Sequence, residues 1–432
     1  MNDKQTPETS ANRRDFLKTG AVTAAAAGFP SIISAASVDN AINVGLVGAG
    51  GRGTGAAAQA MAADDFAHLT AIADVADSQI EQSLERLKKS SGEKVQVEPS
   101  HQFLGLDAYE KVIDSDVDVV ILATPPGFRP PHVRRTIEAG KHLFCEKPVA
   151  VDSPGVRAVL ESSDLAAEKG VSIVSGFCWR YSNYIQETFE QMDSGAIGKL
   201  ITHYATYYTN PVKPMPPMSE RPAGMSDATW GVSNWYNFVE FCGDSLVEQA
   251  IHSVDKVAWL KKDVPPVSCV AVGGRQVPAN AGNIYDHFSA NYLYEDGFRG
   301  IVASRQIPGC HNENADYILG ADGTCTIGKG PIPQIEGKNR WAYRGDKYNM
   351  YQREHDVLFQ AIRRGELLND GRRMATSTLM GLMGRQAAYT GQEVTWDQIM
   401  NSEEVVFDPA TFTLGGDFDP RPMPVPGRTQ LI

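Results

Sequence analysis

The sequence predicts an α/β protein: an N-terminal doubly wound Rossmann unit, then an α+β unit built on a large, mostly antiparallel open sheet. Three observations predict it. Apolar β-branched runs alternate with helical stretches from residue 41 to about residue 178, the pattern of a parallel sheet covered on both faces. A Gly-x-Gly-x-x-Gly turn joins the first run to the first helix. Beyond residue 178 the chain shifts to alternating runs rich in aromatics, Pro and Gly, which suit strands with one buried face.

Residues 42–47 form the first expected strand, and the glycine turn at 48–53 opens an Ala-rich helix reaching Met61. Residues 69–74 are a second apolar run ending in Asp74, followed by helical composition at 78–89. Residues 117–124 read as a buried parallel strand, broken by Pro125-Pro126. A helix at 132–139 leads through Gly140 to a short strand at 142–145, and a helix at 156–169 leads to a last strand at 171–176. In the second unit, strands are expected at 200–208, 267–272, 286–294 and 300–306, with a loop at 210–229 carrying five prolines. Helices at 243–260 and 351–364 are expected to flank that region, and a third spans 372–389.

The first residues read as an address. Arg13-Arg14, then Phe16-Leu17-Lys18, an apolar run at 21–33 and the small residues Ser34-Ala35-Ala36 resemble a bacterial twin-arginine export signal over residues 1–36. Engagement of the twin-arginine machinery and a periplasmic or otherwise exported location follow. No later segment reaches the ~18 apolar residues of a membrane helix, so the mature chain is expected to have no membrane span. Domain boundaries are placed at 38–178 and 179–432.

A chain of 432 residues with net charge −12 does not carry the clustered cations that nucleic-acid binding draws on, which points to a small-molecule ligand. The six cysteines show no metal-ligand spacing, so no metal site is expected, and they are read as small apolar residues.

The glycine turn carries the cofactor argument. Gly48 can make the tight turn, Gly50 can let backbone approach a pyrophosphate, and Gly53 can pack helix on strand. Phosphate would rest on the helix N-terminus, where free amides and the helix dipole favour negative charge. Asp74 stands 21 residues past Gly53, where an acid accepts hydrogen bonds from an adenosine ribose and repels a 2′-phosphate. NAD is therefore favoured over NADP, although Arg52 within the turn could serve a phosphate.

The run Ala139-Gly140-Lys141-His142-Leu143-Phe144-Cys145-Glu146-Lys147-Pro148, at the end of the fifth strand, resembles the glucose-fructose oxidoreductase and inositol dehydrogenase family, often called Gfo/Idh/MocA. The resemblance implies a cis Lys147–Pro148 bond and a catalytic Lys147, with Glu146 and Lys147 beside the cofactor. An ammonium beside a substrate hydroxyl also makes chemical sense, because it stabilises a developing alkoxide, and burial near a nicotinamide should lower its pKa. The family's second element is a helix with an acid and, four residues on, a histidine; Glu248 and His252 occupy those places. Residues four apart share a helix face, so both are expected to face the cleft, with His252 taking the hydroxyl proton. Glu248 departs from the family's usual Asp. The resemblance further places Thr124, Pro125 and His132 along the cofactor and Arg180 and Tyr181 against substrate. Trp235, in an aromatic group with Tyr236 and Phe238, is a candidate sugar platform.

The expected activity is hydride transfer between a secondary alcohol of a sugar, glycoside or cyclitol and NAD(P). An exported enzyme should carry its cofactor with it and re-oxidise it in place. A redox-neutral glycoside hydrolase, acting by transient oxidation and elimination without paired carboxylates, stays open as the alternative. The open sheet face and the family's habit imply a homodimer or homotetramer.

Overall fold

A computed structural model describes residues 40–277 and 282–431, so the expected export signal at 1–36 lies outside the described residues. The first sheet has six parallel strands, β1 (Ile42–Val47), β2 (Ala67–Asp74), β3 (Gln102–Leu104), β4 (Val119–Leu122), β5 (His142–Cys145) and β6 (Ile173–Ser175), in the order β3-β2-β1-β4-β5-β6. Helices α1 (Gly51–Ala63), α2 (Asp77–Ser91), α3 (Ala108–Asp114), α4 (Arg129–Glu138) and α5 (Ser153–Lys169) connect them. The strand order reverses between β1 and β4, which opens a crevice at the carboxyl ends of those strands, where ligands of such sheets bind. Val119 to Leu122 are all buried, as expected of a strand covered on both faces.

After α6 (Asn183–Asp193) the chain enters a nine-stranded sheet. Its strands are β7 (Leu200–Thr209), β8 (Ser268–Gly274), β9 (His287–Leu293), β10 (Arg299–Gln306), β11 (Glu313–Gly320), β12 (Gly323–Ile327), β13 (Gln334–Gly337), β14 (Trp341–Ala342) and β15 (Val394–Thr395). Every pairing is antiparallel except that of β7 with β10. Alternate residues of β9 are buried. The other face keeps Val270 and Val272 of β8 exposed.

Between β7 and β8 lie α7 (Asp227–Ser233), α8 (Val239–Cys242), α9 (Ser245–Glu248) and α10 (Ile251–Leu260); α11 (Met350–Arg364), α12 (Gly371–Thr390) and α13 (Trp396–Met400) complete the chain. Two expectations are corrected here. The helix expected at 243–260 is interrupted: Gly243 and Asp244 both take positive φ, and Ala250 N–H reaches back five residues to the Ser245 carbonyl. The helix expected at 351–364 does not flank the second sheet but packs on α1 of the first, with Gln352 Nε2 on the Gln59 carbonyl at 2.9 Å and Arg363 on Asp64 at 2.7 Å. Its buried residues, among them Leu358 and Phe359, join the core of the first sheet.

All six cysteines are unpaired thiols and only Cys310 is exposed. No helix among the described residues is long and apolar enough to cross a membrane.

Candidate active site

The crevice floor is the glycine turn, and its three glycines do different jobs. Gly48 has φ of 94°, and a Cβ there would meet the Ala123 carbonyl carbon at 2.7 Å. A Cβ on Gly53 would meet the Gly48 carbonyl oxygen at 1.9 Å, so only glycine lets α1 sit this close to the turn. Gly50 has nothing within 4 Å of its Cβ position, which leaves the backbone open to an approaching group. It stands at the N-cap of α1, whose first turn carries no acidic residue. An open glycine before uncapped helix amides fits a pyrophosphate.

Asp74 ends β2 and turns back onto that floor. Its Oδ2 accepts Ala49 N–H at 2.7 Å and its Oδ1 accepts Ala76 N–H at 3.0 Å. Burial holds its carboxyl above the ordinary value, against the pull of those amides. The residues present fit a dinucleotide, with the acid beside the turn where an adenosine ribose would lie.

Arg52 is placed differently from its expected service to a phosphate. Its Nε lies 2.9 Å from Glu146 Oε1, a second nitrogen donates to Gln59, and the guanidinium lies 5.2 Å from the Tyr351 ring centroid. Glu146 itself is buried, pressed over Gly176, where a Cβ would meet Glu146 Oε2 at 2.6 Å. Arg52 thus ties the glycine turn to the end of β5. Along the crevice wall, Thr124 Oγ1 lies 3.3 Å from His132 Nδ1, and His132 stacks on Tyr109 at 3.9 Å. Burial, with the charge of Arg129, holds His132 down to about 3, so it is a neutral packing group. Pro125 starts the tight turn of residues 126–128 that leads into α4.

Lys147 and Glu248, both expected at the site, meet between the end of β5 and α9. Lys147, in a cis Lys147–Pro148 peptide, places Nζ 2.7 Å from the Glu248 backbone carbonyl and 3.0 Å from its Oε1. The interruption of the expected helix puts Glu248 at the end of the short turn α9, and its carbonyl as well as its carboxylate receives the ammonium. Both side chains are nearly buried, at 12% and 8% exposure, so the pair is little screened. Burial pushes the Glu248 carboxyl up while Lys147 pulls it down; Glu248 Oε2 has no partner among the described residues. His252, at the start of α10, is part-buried, with its ring edge toward Phe177 at 6.2 Å. Burial first, then the charges of Lys147 and Lys256, hold it well below the ordinary histidine value. It is therefore neutral at neutral pH, and its Nδ1 has no partner among the described residues.

Two of the expected substrate contacts have partners within the chain. Arg180 spends its donors on carboxylates: Nε on both oxygens of Asp255 at 3.0 Å, Nη1 on Asp263 at 3.0 Å, and Nη2 on both acids. Tyr181 is buried and donates to Asp370 at 2.9 Å. Both hold elements together. Tyr236 and Phe238 are buried, Phe238 within an aromatic core, while Trp235 stays part-buried with Lys213 Nζ 5.4 Å from its ring centroid.

Sequence reasoning missed Arg129, Lys213 and the Gln249–Tyr207 link near Glu248, and it read Tyr236 only as part of an aromatic group. Buried Arg129 donates to the Pro148 carbonyl and contributes positive charge at Glu248; its one signal was a charged residue opening a helix between Phe128 and Pro130. Tyr236 donates to Gln249 Oε1 at 2.8 Å, and Gln249 donates to Tyr207 at 3.0 Å. Lys213 contributes charge at both Asp74 and Glu248. No local pattern marks these, because the partners meet only in three dimensions.

Residues 42–177 match the family described as "Oxidoreductase family, NAD-binding Rossmann fold", and residues 10–30 match the twin-arginine translocation signal, which indicates export. Among curated relatives, inositol 2-dehydrogenase 4 of Saccharopolyspora erythraea is 32% identical over 167 residues, 38% of this chain and 45% of that protein. Glycosyl hydrolase family 109 protein 2 of Shewanella sp. strain ANA-3 is 26% identical over 216 residues, 45% of this chain and 46% of that protein. The chain spans under half the length of the curated relatives it matches first. A solved levoglucosan dehydrogenase, in complex with NADH and levoglucosan, superposes with TM-score 0.66 at 18% identity, over 82% of this chain and 99% of that one. That likeness shows a shared fold.

Proposed function

Since residues 42–177 belong to the oxidoreductase family with an NAD-binding Rossmann fold, we propose that the protein transfers hydride to or from a secondary alcohol of a sugar, glycoside or cyclitol, with Lys147 and His252 handling the hydroxyl proton. The observation that carries the reading is the seating of Lys147 on Glu248, 101 residues away in sequence, with a neutral His252 close enough to feel the Lys147 charge. Residues 38–178 serve as the cofactor unit and 179–432 as the substrate and assembly unit.

The glycine turn, the N-terminus of α1, Asp74 and the wall from Thr124 to Pro125 would hold the dinucleotide, and the acid favours NAD over NADP. When bound, NAD supplies a ring carbon that takes or returns hydride. Lys147 donates a hydrogen bond to the substrate oxygen and stabilises negative charge as it develops. His252, held neutral, takes the hydroxyl proton on a ring nitrogen and returns it in the reverse direction. Glu248 fixes the direction of the Lys147 ammonium, and Arg129 fixes the Pro148 carbonyl next to it. Inositol and levoglucosan, for which two of the similar dehydrogenases are named, are polyhydroxylated rings, which suits this chemistry.

Export points to a periplasmic enzyme that keeps its cofactor bound. The exposed Val270 and Val272 on the open face of the second sheet suit a homo-oligomeric interface. The glycosyl hydrolase relative supports a second reading, in which a glycoside would give hydride to the dinucleotide, lose its aglycone by elimination, take up water across the resulting double bond, and be reduced again by the same hydride.

The test is to purify the exported protein, identify any retained dinucleotide by mass, and follow its near-ultraviolet absorbance as sugars and glycosides are added. A lasting change on adding a sugar supports the dehydrogenase. Aglycone release without net absorbance change supports the hydrolase. A protein that neither retains nor binds a dinucleotide contradicts both.

A further inference from the structure

Away from the hydride site, a cavity of about 320 Å³ lies under the C-terminal segment. Its volume is at the low end of small-molecule sites, about 300–1,000 Å³. The roof is built in: the Arg421 N–H donates to Glu240 at 2.6 Å, Asn283 donates to the Arg421 carbonyl at 3.1 Å, and Tyr285 donates to the Pro424 carbonyl at 2.9 Å.

The lining is polar but balanced in charge. Arg421 is answered by Glu404 at 2.6 Å, and Gln386 donates to the other Glu404 oxygen at 2.8 Å. Arg385, 3% exposed, sits over Tyr389, whose hydroxyl bonds the buried Asp244 carboxylate. Each arginine thus has a carboxylate nearby, and no surplus positive charge is left for an anion. Arg385 Nε nevertheless has no acceptor among the described residues. Val239, Val406 and Pro422 supply apolar surface between these polar groups. Planar amide and guanidinium donors, a carboxylate and small apolar faces around a compact volume are the requirements of a ring that carries many hydroxyls.

We propose that this cavity is a binding site for a neutral, monosaccharide-sized polyol, distinct from the hydride site and standing independently of the reading given to that site. Arg385 makes it consequential. Its Nη1 donates to the Val151 carbonyl at 2.8 Å and to the Gly243 carbonyl at 3.2 Å. One carbonyl lies four residues after Lys147 and the other five before Glu248. A polyol on Arg385 therefore bears on both segments that carry the catalytic pair.

Isothermal titration of the full exported protein with D-glucose, glycerol and inorganic phosphate tests the assignment, using the Lys147→Ala chain to silence turnover. The expected result is saturable polyol binding in the Lys147→Ala chain and no phosphate binding. Gln430→Trp, which fills the cavity mouth, and Gln386→Leu, which removes a polar wall, should each weaken polyol binding by about tenfold or more. Gln430→Trp should keep wild-type melting. Unchanged polyol binding in both cavity variants, phosphate binding tighter than polyol, or no polyol binding in the Lys147→Ala chain would each overturn it.

Discussion

The pairing of Lys147 with Glu248 makes the proton chemistry depend on a charge held almost out of water. Replacing Lys147 with Met should lower turnover about 10²- to 10⁴-fold, the range for a lost acid–base group, while dinucleotide binding persists. The same change should raise the His252 pKa, because the Lys147 charge is the second cause of its depression after burial. Ring-proton NMR reads this directly: His252 should titrate at higher pH in Lys147→Met than in wild type, and an equal or lower value would place the two groups too far apart to cooperate. Lys147, Glu248 and His252 were legible in the sequence because a short motif and a fixed spacing mark them. Arg180 was not, since its partners Asp255 and Asp263 lie 75 and 83 residues away, and a charged residue at a cleft looks the same whether it meets a ligand or an acid of its own chain.

Among the elements, the strand β1, the glycine turn and the helix α1 form one device. Gly53→Ala would drive a methyl into the Gly48 carbonyl at 1.9 Å, backbone against backbone with no side chain to yield. It should destabilise the chain by about 1–3 kcal/mol, as overpacking does, and abolish dinucleotide binding; Gly50→Ala, with nothing within 4 Å, should melt like wild type yet bind dinucleotide more weakly. Thermal melts beside dinucleotide titration separate the two. These roles were readable because each glycine follows from local geometry. The break in the helix at 243–260 was hidden, since its apolar spacing is helical throughout and the positive φ of Asp244 is sustained by distant partners, Tyr285 and Tyr389. The seat of α11 on α1 was equally hidden, because an amphipathic face does not name the surface that covers it.

Viewed as a whole, the molecule holds His132, His252 and His355 neutral by burial. For His132 the folded value is about 3 against about 6.5 unfolded. Below pH ~6.5 the unfolded chain takes a proton that the folded chain refuses, so this contribution is full above that pH and is lost by up to about 1.4 kcal/mol per unit as pH falls toward 3. His132→Asn should lose less stability than wild type between pH 6.5 and 4 in urea melts; parallel losses would contradict the burial argument. Both sheets were legible at this scale, because the change from buried parallel runs to half-buried alternating ones is a property of long stretches. Strands β3 and β11 to β15 were not, for they are held by their neighbours more than by their own pattern.

The proposed activity requires hydride to move between a carbinol carbon and a dinucleotide held by the glycine turn. Its most direct test offers the purified protein a sugar carrying deuterium on the oxidised carbon and weighs the bound dinucleotide. In wild type the reduced nicotinamide should weigh one mass unit more than that formed from the unlabelled sugar, with its formation slowed about 10²-fold or more in Lys147→Met. Turnover of the sugar with no deuterium on the dinucleotide would contradict it.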